Sequence, residues 1–281
     1  MSGETSPDRS ELWLPLLRRL TQVSSSWLVW KNVDSALFGI GDIDAAAAEG
    51  DSEMIQREFF SWARERRVGP VVVCTHIPGG LNLIAIPPRQ QTFLEFSVKA
   101  RKAFRGGTLF VLEDLTPLIE MDPRGFRRLR SGAEGLLKLV LNGMRWGGRP
   151  NPVGLREKHV PELLRADPSG VALAAKLFGP AEHAAVAGAE AVARGAWNRR
   201  AMLTIETFAV ARALRHPLVL GQRVWFRTRT KQTCPVVRAI LVEGRRIPAD
   251  RDRWLRLIES NHAVLETDLV NGGSGARARQ T

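Results

Sequence analysis

Cysteine is nearly absent from this chain. Cys74 and Cys234 are the only two in 281 residues, and their separation supports neither a disulfide framework nor a thiolate zinc site. Both read as small hydrophobes in packed positions. Histidines are few and scattered (His76, His159, His183, His216, His262) without metal-ligand spacing, which argues against a zinc enzyme. No apolar run is long enough to cross a bilayer. The first thirty residues carry Glu4, Asp8 and Glu11 where a basic-then-apolar leader would stand, so the expectation is a cytoplasmic protein. Aromatic RNA-binding strands, zinc fingers and internal repeats are also missing, so nucleic-acid binding would rest on charge alone.

What the chain does have is a hydrophobic content of 44%, enough for a substantial core, and a formal charge of +12. The charge is uneven: about +3 over residues 1–150 and +9 over 151–281. Between Arg212 and Arg256 twelve basic residues face three acids. Such a segment attracts phosphates, anionic lipid or nucleic acid, or is simply a solvated basic face. Leu218 to Lys231 mixes Trp225 and Phe226 with Arg223, Arg227 and Arg229. That composition suits a helix on an anionic membrane surface or on nucleic acid, which would make the protein peripheral to a membrane.

Periodicity gives the organisation. Asp8 to Leu20 has helical spacing, Ser26 to Lys31 reads as a buried strand, Asp34 to Gly41 as a loop and Asp42 to Ala48 as the next strand. Asp51 is the expected N-cap of a helix to about Arg67. Val71 to His76, Leu81 to Ile86 and Thr92 to Val98 suit an antiparallel meander, with a short extended piece over Thr108 to Val111. Beyond Asp122 the pattern turns helical almost to the end. Ser131 and Glu134 are spaced as a capping box for a helix that Gly147-Gly148 closes. Further helices are expected at 153–165, 168–178, 180–194, 197–215, 218–231, 235–242 and 250–262. Sheet first and helices second is an α+β plan: a small mixed-sheet domain over 1–130, a helical domain with the basic segment over 131–270, and a disordered tail over 271–281.

The chemistry concentrates at Gly41-Asp42-Ile43-Asp44. In a strand, side chains at i and i+2 leave the same face, and two carboxylates held side by side repel each other. A divalent cation relieves that repulsion, which points to metal-assisted phosphoryl or nucleotidyl transfer. A third carboxylate is needed from a neighbouring strand, and Glu95 in Phe93-Leu94-Glu95-Phe96-Ser97 supplies it, with Ser97 on the same face. The bland alternatives are that Asp42 caps a turn after Gly41, Asp44 pairs with an arginine, and Glu95 is an ordinary ion-pair partner.

At these residues the chain resembles the nucleotidyltransferase-fold superfamily, over roughly 24–130. It looks closest to nucleotidyltransferase-like proteins of bacterial surface-polysaccharide gene clusters. Trp30-Lys31-Asn32, the Asp pair and Phe104-Arg105-Gly106 stand where those proteins carry Lys-Gly, their acids and Arg-Gly. The resemblance implies Mg²⁺ at Asp42 and Asp44, a nucleoside triphosphate as substrate, and a sugar or sugar phosphate as acceptor, while Glu95 as the third metal-binding and catalytic acid comes from the strand spacing. It also implies cofactor-binding positions at Lys31, Asn32, Gly41 and Arg105. The superfamily's Gly-Ser phosphate grip is replaced here by Lys31-Asn32. Counting back from Arg105-Gly106 sets the family's third acid on Ser97.

Two more cations enter from the helical side. Arg127, in the arginine-rich stretch before the Ser131 helix, and Lys138, one turn from Asn142 within it, are candidates to hold phosphates. Alternatively Arg127 and Arg130 pair with Asp122 or Glu134. His76 reads as a loop residue, and Trp27, Trp30 and Trp62 as core.

Overall fold

A computed structural model describes residues 9–68, 71–74, 80–85, 93–157, 159–218, 220–221, 224–225 and 237–240. Helix α1 (Ser10–Val23) buries Trp13, Leu16, Leu17 and Leu20 along one stripe. Strand β1 (Leu28–Lys31), the short helix α2 (Val33–Leu37) and strand β2 (Ile43–Ala46) follow, then α3 (Ser52–Glu65), which buries Ile55, Phe59, Trp62 and Ala63. β3 (Val71–Cys74), β4 (Gly80–Ala85) and β5 (Leu94–Lys99) pair antiparallel in sequence. A hairpin of β6 (Arg101–Phe104) and β7 (Gly107–Val111) leads through α4 (Leu112–Leu115) to β8 (Ile119–Met121) and β9 (Arg127–Leu129). Helix α5 (Ser131–Leu141) is followed by the two-stranded β10 (Met144–Arg145) and β11 (Arg149–Pro150). The helical layer is completed by α6 (Pro152–Glu157), α7 (Val160–Ala166), α8 (Pro168–Ala175), α9 (Glu182–Ala193) and α10 (Arg199–Leu214). Strand β12 (Val237–Ile240) comes last.

The fold is α+β. Eight strands form one mixed sheet in the order β12-β3-β4-β5-β2-β1-β9-β8, parallel only at β5/β2 and β1/β9. Alternation along the strands feeds two cores. Val29, Ile43, Ala45 and Phe96 face α1 and α3, where Trp13 and Trp62 stack with centroids 5.2 Å apart. Such a pair adds about 0.5–1.5 kcal/mol beyond its burial. Leu28, Trp30 and Ala46 face the other way, into a core shared with α5, α7, α8, α9 and α10. Packing therefore runs unbroken across residue 130. No helix among the described residues is long and apolar enough to cross a membrane.

Several sequence expectations are revised. Residues 33–37 of the expected loop form α2. The helix expected at 235–242 is instead strand β12, antiparallel to β3, consistent with the β-branched pair Val236-Val237 and the pairing edge that β3 offers. Arg127 to Leu129 is strand, not the approach to a helix, because it pairs with both β1 and β8. Asp51 does not cap α3; a 3₁₀ turn turns its carboxylate toward the α1–β1 link, where it accepts from the Ser24 and Ser26 hydroxyls. The Ser131/Glu134 capping box is not formed, since Glu134 is drawn inward as described below. Gly147 and Gly148, at φ 73° and 60°, make the β10–β11 turn well beyond the end of α5. The helix expected at 250–262, the tail at 271–281, His76, Cys234 and most of the Arg212–Arg256 segment lie outside the described residues.

Candidate active site

The acids predicted from spacing come together at the junction of β1, β2 and β5. Parallel pairing of β2 with β5 sets Ile43 beside Phe96 and Asp44 beside Ser97. Continuing that register one step sets Asp42 beside Glu95. Residues opposed in adjacent strands share a face, so Asp42, Asp44, Glu95 and Ser97 all lie toward the helical layer. Asn82 of β4 extends the row beyond Ser97. The position beside Asp44 is thus a serine, with Glu95 one row away beside Asp42.

Lys31 reaches this face through an irregularity in β1. The β1/β2 register shifts between Val29 and Lys31, so Trp30 stays in the core while Lys31 pairs with Asp44. Its Nζ lies 2.8 Å from Asp44 Oδ2 and 4.9 Å from the Trp30 ring centroid. The Lys31 side chain is 15% exposed and that of Asp44 3%, so the ion pair is largely withdrawn from water. Asn32 follows in the left-handed region at φ 64°, which asparagine tolerates better than most residues. That turn lets Asn32 Nδ2 donate to Asp44 Oδ2 at 3.3 Å while its backbone N–H donates to Glu134 Oε1 at 2.8 Å.

Charge in the site is concentrated by sign. Burial, then the nearby Asp42 and Asp44 carboxylates, raise the Glu95 pKa, with partial relief from Lys99. Lys102 is affected in the opposite sense: burial, then Lys99 and Lys31, lower its pKa to about 8 against a smaller opposing pull from Asp44. Its Nζ lies 5.6 Å from the same Trp30 ring. Like-charged carboxylates therefore sit next to like-charged ammonium groups. Among the described residues no three His, Cys, Asp or Glu side chains stand close enough to hold a metal ion, so the Asp42, Asp44 and Glu95 carboxylates form a looser group than a closed cage.

No protein-family model matches the chain, and no curated protein matches it. The solved structure titled "Crystal structure of JHP933 from Helicobacter pylori" is similar over 83% of this chain and 100% of that one, at TM-score 0.39 and 9% identity. A likeness that loose carries no argument.

The remaining predicted cations are engaged elsewhere. Arg105, at the β6–β7 turn, places Nε 2.7 Å from Glu206 Oε1 and stacks 4.1 Å from the Trp146 ring centroid. Arg127 donates to the Ser24 carbonyl, on the link between α1 and β1. Lys138 is held 2.5 Å from Glu134, and Arg128 reaches the other Glu134 oxygen at 3.2 Å. Arg130 pairs with Asp167 at 2.8 Å. Gly41, at φ 84°, lets the chain turn into Asp42. Spacing alone did not single out Lys99 or Lys102, and it read Glu134 as a local cap or arginine partner and not as a neighbour of Asn32. The signal for Lys99 was present, since Glu95, Ser97 and Lys99 alternate on one face of β5.

Proposed function

We propose that this protein is a Mg²⁺-dependent nucleotidyltransferase that moves a nucleotidyl group from a nucleoside triphosphate to a hydroxyl or phosphate acceptor. By the resemblance noted above, the acceptor class is a sugar or sugar phosphate of surface-polysaccharide synthesis. The observation that carries the reading is the shared face of Asp42, Asp44 and Glu95 on adjacent strands, where burial and then the two neighbouring aspartates raise the Glu95 pKa. Hard carboxylate oxygens suit Mg²⁺, and Asp42 and Asp44 are the residues that would hold it. When bound, the ion supplies neutralisation of phosphate charge. Glu95, with its raised pKa, is positioned to orient an acceptor hydroxyl and take its proton. The acceptor oxygen then attacks the α-phosphorus in line; the new P–O bond forms as the α–β bridge breaks and pyrophosphate leaves. Lys31 lies where it can neutralise phosphate oxygens as well as Asp44.

Isothermal titration with Mg²⁺ and each nucleoside triphosphate, on the parent and on Asp42→Asn/Asp44→Asn, tests this. Metal-dependent binding lost in the double variant is expected; nucleotide binding indifferent to both aspartates overturns it.

A second reading is a catalytically silent module of the same fold that binds an anionic partner through the Arg212–Arg256 segment. It is favoured by the internal satisfaction of the site: the Lys31 ammonium already faces Asp44, and the Glu134 carboxylate already takes the Asn32 amide at the place of the family's phosphate grip. Binding to anionic vesicles or RNA that falls steeply with salt, with no response to Mg²⁺ and nucleotide, is its signature.

A further inference from the structure

Several of the least exposed cations among the described residues are matched by acids. Arg128 sits among Asp34, Asp122 and Glu134, Arg124 between Asp34 and Asp122, Lys138 on Glu134 and Arg105 on Glu206. The β5–β6 corner departs from this pattern. Neither Lys99, at the end of β5, nor Lys102, in β6, lies within ion-pair distance of a carboxylate among the described residues, although both are only partly exposed. Lys99 lies beside Ala46 on the face that carries Asp44 and Glu95. Lys102 and Lys31 place their ammonium groups over one indole, 5.6 Å and 4.9 Å from the Trp30 centroid.

We infer that Lys31, Lys99 and Lys102 form a seat for a condensed phosphate chain next to the Asp42 and Asp44 carboxylates. Lys31 and Lys102 over one buried indole, with Lys99 acting on Lys102 as well, set three like charges near one another with only Lys31 offset by a carboxylate, and an anion carrying several charges on a short backbone relieves that repulsion. The carboxylates on the adjoining strand would repel the same anion unless it arrives with a cation. A divalent-ion complex of a polyphosphate satisfies both halves. The recess disfavours broad polyanions, since Lys31 is 15% exposed and a lipid surface cannot follow it inward. Lysine suits the task because it approaches phosphate as a mobile point charge without demanding a planar partner. The inference rests on the proposed nucleotidyl-transfer reading only for the identity of the chain that bears the phosphates, a nucleoside triphosphate or free polyphosphate.

The test is equilibrium binding of inorganic tripolyphosphate and of each nucleoside triphosphate, with and without Mg²⁺. The proteins are the parent, Lys102→Met, Lys99→Met/Lys102→Met, and Arg101→Met as a neighbouring exposed control, each checked for an unchanged melting curve. Tripolyphosphate binding that weakens roughly tenfold in Lys102→Met and further in the double variant, with Arg101→Met unchanged, is expected. Stronger binding of a nucleoside triphosphate than of tripolyphosphate assigns the seat to nucleotides; equal binding assigns it to free polyphosphate. If tripolyphosphate binds in this lysine-dependent way but Asp42→Asn/Asp44→Asn changes nothing, the seat stands and the nucleotidyltransferase reading fails. No tripolyphosphate binding by the parent, binding indifferent to the two lysines, or binding of RNA alone that survives Lys99→Met/Lys102→Met overturns the inference.

Discussion

Replacing Glu134 by leucine removes the acceptor from three groups at once: the Asn32 N–H at 2.8 Å, Lys138 Nζ at 2.5 Å and Arg128 Nη2 at 3.2 Å. All three residues are buried. Arg128 keeps Asp122 at 3.2 Å and Asp34 at 3.1 Å, so it is only partly orphaned. Lys138 has no second ion pair among the described residues, and an uncompensated buried charge costs about 3–5 kcal/mol. The unsatisfied Asn32 amide adds about 1–3 kcal/mol. Penetrating water recovers part of this, leaving a net loss of about 4–6 kcal/mol, or roughly 10–20 °C in melting temperature for a protein of this size. Removing the other charge as well reverses much of the loss, because a buried pair exchanged for apolar side chains is often close to neutral. Urea denaturation followed by circular dichroism at pH 7 should therefore rank the parent first, Glu134→Leu/Lys138→Leu second and Glu134→Leu last. A single variant that loses less than about 1 kcal/mol, or a double variant no better than the single, would refute the reasoning.

Two further outcomes follow from the geometry. Glu95 has a raised pKa, so its carboxyl binds a proton more tightly folded than unfolded, and ionising it erodes stability as pH rises from the unfolded value of about 4 through the folded one. Glu95→Gln should accordingly melt higher than the parent at pH 7 in metal-free buffer and no higher at pH 3, with saturating Mg²⁺ narrowing the pH 7 gap; a variant that melts lower at pH 7 without metal contradicts this. In α5, a Cβ on Gly132 would stand 1.9 Å from the Asp167 carbonyl oxygen and 2.6 Å from the Val171 nitrogen. Gly132→Ala should thus reverse the usual helical gain of about 1 kcal/mol and cost about 1–3 kcal/mol instead, whereas Gly50→Ala, with nothing within 4 Å, should be neutral in the same denaturation assay.

The sheet's centre was legible because its residues alternate cleanly: Trp27 and Val29 against Leu28 and Trp30, Ile43 and Ala45 against Asp44 and Ala46. The common face of the Asp pair and Glu95 was legible for the same reason, since the period of two assigns a face without reference to distant residues. What escaped depends on partners far along the chain. Arg127-Arg128-Leu129 reads as polar approach, yet it is strand because it pairs with β1 and β8, and the Arg128 guanidinium is then met by Asp34, Asp122 and Glu134. Glu134 sits three residues after Ser131, where a local cap is the obvious reading. Its actual partner, the Asn32 amide, is 102 residues away. Lys31 was placed near the site by resemblance alone, and the register shift that carries it to Asp44 leaves no mark in the local hydrophobic pattern.

The core that joins Leu28, Trp30 and Ala46 to residues as late as Met202 and Ile205 is shared by the sheet and the helices. A fragment ending near residue 130 would expose the inner surface of that core to solvent and strip the Asn32 turn of the carboxylate that holds it. Heating should therefore melt both layers in one transition, and any insertion or fusion that preserves the acids has to leave α5 docked against them.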